Sequence, residues 1–378
     1  MNDDLSEYLR AKEPEKAELA GIWRAAIGLQ KVDGLTPSAY LVETARRNIE
    51  GEITIAEAGK IIGEYYKSKA VRAEAAKTRT DEADIVSQRM TEVLAEPTFS
   101  FSPASYVSIH RKLFLGIYKH AGKIRDYNIT KSEWVLKKDT VRYESAEVIA
   151  ATLEYEFERE HNFNYRGLSP QETISHFSRF IADVWQIHAF GEGNTRTTGI
   201  FAVKYLRTLG YAVENDIFAD NSYYFRNALV RANYTNIPKG IHPTLVYLER
   251  FFANLLLGEN NELKSRYLLV GLHDEPESLV PSSREQVGEQ VANALPKGVA
   301  RLLKVLKGEM SVLDMMMALK LGGRRNFLEK YLSPAIELGL VEMTQPNSPR
   351  SPTQKYRLTA KGERCLHAEA RRTRRGEK

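Results

Sequence analysis

Cysteine is nearly absent: Cys365 is the only one in 378 residues. A single thiol excludes an internal disulfide framework and any cysteine-rich metal site. No run of about 18 apolar residues occurs, so no segment reads as a membrane-spanning helix. The start, MNDDLSEYLRAKEPEK, is acidic and polar; with no apolar stretch it does not read as a secretory signal. A Walker A sequence is missing too. The Gly-x-Gly pair at Gly191 and Gly193 lacks the preceding strand that a dinucleotide fingerprint requires. What remains is the composition of a globular, cytoplasmic protein, 43% hydrophobic and 27% charged. The length predicts more than one domain. Much of the net charge of +5 gathers in the tail RLTAKGERCLHAEARRTRRGEK.

The chain divides into segments by pattern. Residues 1–90, rich in Ala, Glu, Lys and Arg, read as a small helical segment. SAYLVETARRNIEGEI predicts a helix broken near Gly51, and Thr54 caps the next, with Glu57 at the capping-box position. Residues 91–265 form the main block. SPASYVSIHRKLFLGIY predicts a helix opening at Ser102-Pro103, and EWVLKKDTVRYES predicts a β-hairpin turning at Lys137, Lys138 and Asp139. Ile174, Phe177, Ile181 and Val184 mark one face of a further helix. TRTTGIFAVKYLRTLG predicts another, closed by Gly210, and two more helices are expected around 225–232 and 243–257. A polar linker, 266–290, leads to residues 291–368, where three helices precede the strand pair LGLVEMTQ and QKYRLTAKG. That order is the winged-helix pattern. A basic tail, 369–378, ends the chain. The predicted class is mainly α.

One stretch concentrates chemistry: IHAFGEGNTRTTGIF, residues 187–201. The order is helix, loop, helix, so the loop delivers backbone N–H groups to the positive end of the next helix, a place suited to phosphate. Gly191 and Gly193 permit close backbone approach, Asn194 offers an amide donor, and Arg196 a planar charge that can grip phosphate at two points. Glu192 should repel an anion unless Mg²⁺ lies between them, held by one carboxylate and phosphate oxygens. His188 then sits where an imidazole can deprotonate an incoming hydroxyl. Phe190 anchors the loop in the core.

The stretch resembles the signature of the Fic (fido) family, H-x-F-x-[DE]-G-N-G-R-x-x-R. His188, Phe190, Glu192, Gly193, Asn194 and Arg196 match, and the resemblance covers residues 91–260, including LFLGIYKHAGKIRDYNIT. It implies a helical Fic core with a β-hairpin flap. The implied activity is transfer of AMP from ATP to a Ser, Thr or Tyr hydroxyl of a target protein. By the resemblance His188 is the general base and Glu192 holds Mg²⁺. Gly191, Gly193, Asn194, Thr195 and Arg196 line the phosphate site, and Tyr223 and Tyr224 lie where the family lines its adenine pocket. Asp139, Thr140, Val141, Arg142 and Tyr143 correspond to the flap that pairs with an extended target segment. Glu50, in RRNIEGE, resembles the glutamate of the inhibitory motif [ST]-x-x-x-E-[GN], although Arg46 stands at its Ser/Thr position. Three departures lie within the signature: Ala189 where proline is common, Thr195 for the third glycine, and Gly199 for the second arginine.

Two other readings stay open. One is a regulator that senses a nucleotide in the Fic core and binds DNA through the winged helix, with Arg324, Arg325 and Lys330 facing phosphates or bases. The other is a different phosphate-containing transfer on the same scaffold. A homodimer is compatible with the sequence.

Overall fold

The structure is a computed structural model that describes residues 5–10, 13–213, 216–271, 297–319, 321, 327–345, 354–359, 362 and 366. Arg324, Arg325, Cys365 and the basic tail lie outside the described residues. The chain falls into two compact units, Met1–Val280 and Pro281–Lys378.

Among the described residues the named elements of the first unit are all helical. It contains α1 (Ser6–Arg10), α2 (Pro14–Gly28), a 3₁₀ segment (Leu29–Asp33), α3 (Ala39–Ile49), α4 (Ile55–Tyr65), α5 (Lys69–Thr78) and α6 (Thr80–Ala95). After these come α7 (Pro103–Phe114), α8 (Ile149–His161), α9 (Pro170–Ile187), α10 (Asn194–Thr208), α11 (Asp216–Asn233) and α12 (Val246–Leu257). The starts of α3, α4, α7 and α9 are set by side-chain caps that satisfy orphan N–H groups. Thr54 and Ser169 each make a full capping box, with Glu57 and Glu172, and Ser102 accepts from the Ser105 N–H. Gly210, at φ 89, closes α10 as its pattern predicts.

Helix α2 decides where the N-terminal segment sits. From Ala20 to Gly28 it is buried almost all round, between layers. Ile22, Ala25 and Ala26 join the main core, while Ala20 and Trp23 join a smaller core with Leu41, Ala45 and Ile62. At Gly28 the α2 backbone meets α11 directly: a Cβ there would lie 2.3 Å from the Ala219 carbonyl oxygen. The Ser222 hydroxyl donates to the Gly28 carbonyl at 2.6 Å. This contact fixes the 3₁₀ segment that follows. Helix α6 runs across residue 90 and packs on both α2 and α7.

The expected β-hairpin at 133–143 is corrected. Its turn exists: Lys137 and Lys138 both have positive φ, and the Asp139 N–H donates to the Leu136 carbonyl at 3.2 Å. No ladder follows, because Trp134–Leu136 curls into a 3₁₀ turn while Glu133 and Tyr143 turn inward.

The second unit contains α13 (Lys297–Val305), α14 (Val312–Ala318), a π-helical turn (Leu328–Leu332) continuing into α15 (Ser333–Glu337), and strands β1 (Val341–Met343) and β2 (Tyr356–Leu358). The strands pair antiparallel, Glu342 opposite Arg357. Val299, Leu302, Met315, Phe327, Ala335 and Tyr356 share a core of their own.

Candidate functional site

The loop between α9 and α10 is braced from every side. His188 caps α9 in the left-handed region, φ 50 and ψ 55, a conformation that costs any residue with a Cβ some free energy and needs outside support. Arg125 supplies that support: its Nε donates to the His188 carbonyl at 2.8 Å and its backbone N–H to the Ala189 carbonyl at 2.9 Å. Phe190 is fully buried and stacks on the His110 ring, centroids 3.8 Å apart. Asn194 accepts from the Phe190 N–H at 2.9 Å and donates to its carbonyl at 2.7 Å. Its amide therefore shapes the loop, spending its oxygen and one of its two N–H donors on the Phe190 backbone. Thr195, at the third-glycine position, accepts from the Trp185 indole N–H at 2.9 Å, a tie glycine could not make. Gly193 has φ 79, and a Cβ on it would strike the Phe114 ring at 2.5 Å. A Cβ on Gly191 would meet the Tyr127 hydroxyl at 2.5 Å.

His188 is set up as a base. Its Nδ1 lies 3.3 Å from the Trp185 carbonyl, an acceptor, so the proton belongs on Nδ1. Nε2 is left with its lone pair and no hydrogen-bond partner among the described residues. Burial, and then the nearby Lys131 charge, push this imidazole well below its ordinary range, so it is neutral at pH 7. The Tyr143 ring covers it at 4.0 Å.

Arg196 carries the strongest charge network. It is wholly buried. One terminal nitrogen donates to Gln30 Oε1 at 3.0 Å; the other donates to Glu82 Oε1 at 2.7 Å and to the Tyr118 hydroxyl at 2.8 Å. Its Nε lies 2.7 Å from Asp33, an ion-pair contact without hydrogen-bond alignment. Burial pulls the Glu82 carboxyl up, but Tyr118, Arg196 and Arg79 together outweigh it and hold the carboxyl below its usual range. Glu82 is thus ionised beside Arg196. On α11, Arg226 pairs with the buried Glu133 at 3.1 Å and donates to the Val32 carbonyl at 2.7 Å.

Glu192 is exposed and accepts from Lys131 Nζ at 3.1 Å. Among the described residues no cluster of three His, Cys, Asp or Glu side chains converges. A lone carboxylate ahead of a helix N-terminus still fits Mg²⁺, which takes one or two protein carboxylates and completes its shell with phosphate oxygens and water.

Two family models match the chain: the Fic/DOC family over residues 100–206, and the C-terminal domain of "Filamentation induced by cAMP protein Fic-like" over residues 297–359. Residues 100–206 are a Fic domain. The chain is 30% identical over 139 residues to the protein adenylyltransferase VbhT of Bartonella schoenbuchensis, a match covering 34% of this chain and 28% of that relative. A crystal structure of a Fic family protein from Desulfovibrio desulfuricans G20 aligns with 94% of this chain and 90% of its own, at 20% identity and a TM-score of 0.42.

Around the Fic motif the structure gathers some of the expected residues and not others. Tyr223 is exposed and faces Trp134, ring centroids 6.4 Å apart, whereas Tyr224 is buried in the core. Asp139 accepts from Tyr234 at 2.7 Å and from the Thr140 N–H at 2.8 Å. Val141 is buried; Arg142 is exposed, its carbonyl bonded to Gln186. Lys330 is exposed in the second unit. Glu50 is corrected: it caps α3 on the surface and pairs with Lys16 at 2.8 Å. Lys16, and then Tyr8, hold its carboxyl below the usual range. The carboxylates that do meet the motif arginine are Asp33 and Glu82. A signal for the second was present, since Thr78 and Glu82 have the Ser/Thr-to-Glu spacing of the inhibitory motif, with Ala83 at its last position. Asp33 and Arg226 carry no such local signal.

His110 was also missed, a lone histidine within α7. Its Nδ1 accepts from the Gly122 N–H at 2.9 Å, so Nε2 holds the proton and donates to the Glu192 carbonyl at 3.0 Å. Burial holds this imidazole down at about 4, against an ordinary value of about 6.5. Between those values the unfolded chain binds the extra proton, so stability falls as pH drops from about 6.5 towards 4, by up to roughly 3 kcal/mol from this group. Denaturant titrations of wild type and His110→Gln across that range should show a shallower pH slope in the variant. Equal slopes would remove His110 from the account.

Proposed function

We propose that this protein transfers AMP from ATP to a hydroxyl group of a target protein, with Mg²⁺, and that the conformation described here is its restrained state. The observation that carries the reading is His188 Nε2, a neutral imidazole nitrogen without a partner among the described residues, in the loop that leads into α10 and in the field of Lys131, Arg125 and Arg226. In the reaction the target hydroxyl oxygen attacks the α-phosphorus, and its proton passes to Nε2 of His188. The bond from the α-phosphorus to the bridging oxygen breaks, and pyrophosphate leaves. Backbone N–H groups at the start of α10, which have no intrahelical acceptor, face the developing phosphate charge. Glu192 would hold Mg²⁺, which supplies charge neutralisation to the phosphates. The exposed Trp134 and Tyr223 rings offer faces on which a purine can stack.

Restraint follows from the same contacts. Asp33 and Glu82 hold the guanidinium that phosphate would use, and Tyr143 shields the base. Nucleotide must displace these groups, so binding is reduced by the population of the open state. In the second unit, three helical segments followed by an antiparallel strand pair support a winged helix, a module that can dock on DNA or protein.

Incubation with ATP labelled at the α- or the γ-phosphate tests the reaction. Label on protein from the α position alone is expected. Label from the γ position alone would mean kinase chemistry, and none from either, in a preparation that binds ATP, would favour nucleotide sensing.

A further inference from the structure

The Fic signature carries a second arginine one turn beyond the first, and this chain has Gly199 there. No room is kept for a longer side chain. A Cβ on Gly199 would stand 3.1 Å from Leu29 and 3.6 Å from Phe218, so α10 packs flush against the 3₁₀ segment and α11. A second guanidinium nevertheless reaches the same place from another helix. One oxygen of Asp33 lies 2.7 Å from Arg196 Nε, and the other lies 3.7 Å from a terminal nitrogen of Arg226. The two arginines straddle one carboxylate.

We propose that Arg226 is the second phosphate-binding cation of this site, and that Asp33 occupies the place of a terminal phosphate of a nucleoside triphosphate. The inference rests on the nucleotide-binding part of the function proposed above. A carboxylate between two guanidiniums has the charge and the acceptor geometry of part of a phosphate group. The charge balance agrees. Arg79, Arg196 and Arg226 face Asp33, Glu82 and Glu133, so lifting Asp33 out leaves a local excess of one positive charge. Arg226 also lies one helical turn beyond Tyr223 on α11, on the side where Tyr223 meets Trp134. A base stacked on those rings would direct its phosphates along α11 towards Arg226 and Arg196. The cation lost from α10 is thereby supplied by α11.

The test reads binding, not turnover, in the full-length chain. Asp33→Ala opens the site, and Arg226→Gln and Arg226→Lys are added to it. Affinities for ATP, ADP and AMP are measured with Mg²⁺ by titration calorimetry, and folding is checked by circular dichroism. Arg226→Gln is expected to weaken ATP by about tenfold to a hundredfold, the range of charge-assisted hydrogen bonds, while AMP stays within about twofold. Arg226→Lys keeps a charge but loses the two-point grip, so it should fall between. If Arg226→Gln fails to fold, the ATP-to-AMP ratio of Arg226→Lys decides alone. An unchanged ratio in the folded variants, or equal loss of all three nucleotides, overturns the proposal. Failure of the Asp33→Ala parent itself to bind any nucleotide would overturn the nucleotide site, and this inference with it. Absence of AMP transfer alongside selective ATP binding would overturn only the reaction.

Discussion

Glu82→Gln is expected to tighten ATP binding by the full-length protein by roughly tenfold to a hundredfold, and Asp33→Ala to act in the same direction. Glu82 is nearly buried and bonded to Arg196 at 2.7 Å, so its charge is little screened. A hydrogen bond to a charged group contributes roughly 1.5–3 kcal/mol, and about 1.4 kcal/mol is a tenfold change in affinity. Glutamine keeps the shape and one acceptor while removing the competing charge. Alanine at 82 would instead strand a buried guanidinium, at a cost of about 3–5 kcal/mol. Both proposed variants should melt below wild type without nucleotide and gain more on adding it, because a ligand that binds only the open folded form stabilises it by mass action. Thermal melts over an ATP series read both effects. Should neither variant bind ATP more tightly than wild type, the two carboxylates are structural partners of Arg196 and no restraint exists.

Replacing His188 is expected to lower transfer by about 10²–10⁴ while leaving ATP affinity nearly unchanged, the usual size of a general-base contribution. Alanine at this left-handed position adds strain, so His188→Asn is the better variant; asparagine tolerates that conformation, and its amide can donate to the Trp185 carbonyl as Nδ1 does now. Activity should be measured in the Glu82→Gln background, where the site is open. Transfer at the parent rate in His188→Asn would remove the base assignment, since asparagine cannot take up a proton near neutral pH.

The sequence alone determined the features that are local in the chain. Thr54 with Glu57, Ser102 with Pro103, and Gly210 mark helix ends because capping is settled within about four residues. The apolar period through Ile174, Phe177, Ile181 and Val184 marks the buried face of α9 for the same reason. His188, Glu192 and Arg196 were legible because one helix–loop–helix junction carries them all. Only the tertiary structure decided what those residues touch. Gln30 and Glu82 stand 166 and 114 residues from Arg196 in sequence, and they meet it because the C-terminal half of α2 is buried against α6 and α11. Nothing in the pattern around Asp33 or Arg226 announces that they share a site. Glu50, by contrast, has a suggestive neighbourhood in sequence and a surface position in the fold. The residues 133–143 show the same limit. Their alternation suits a hairpin, yet Glu133 is drawn inward by Arg226 and Tyr143 lies over His188. A ladder depends on side chains staying on opposite faces of a strand. Here a buried charge and a buried ring, each satisfied only by a distant helix, prevailed over the local period.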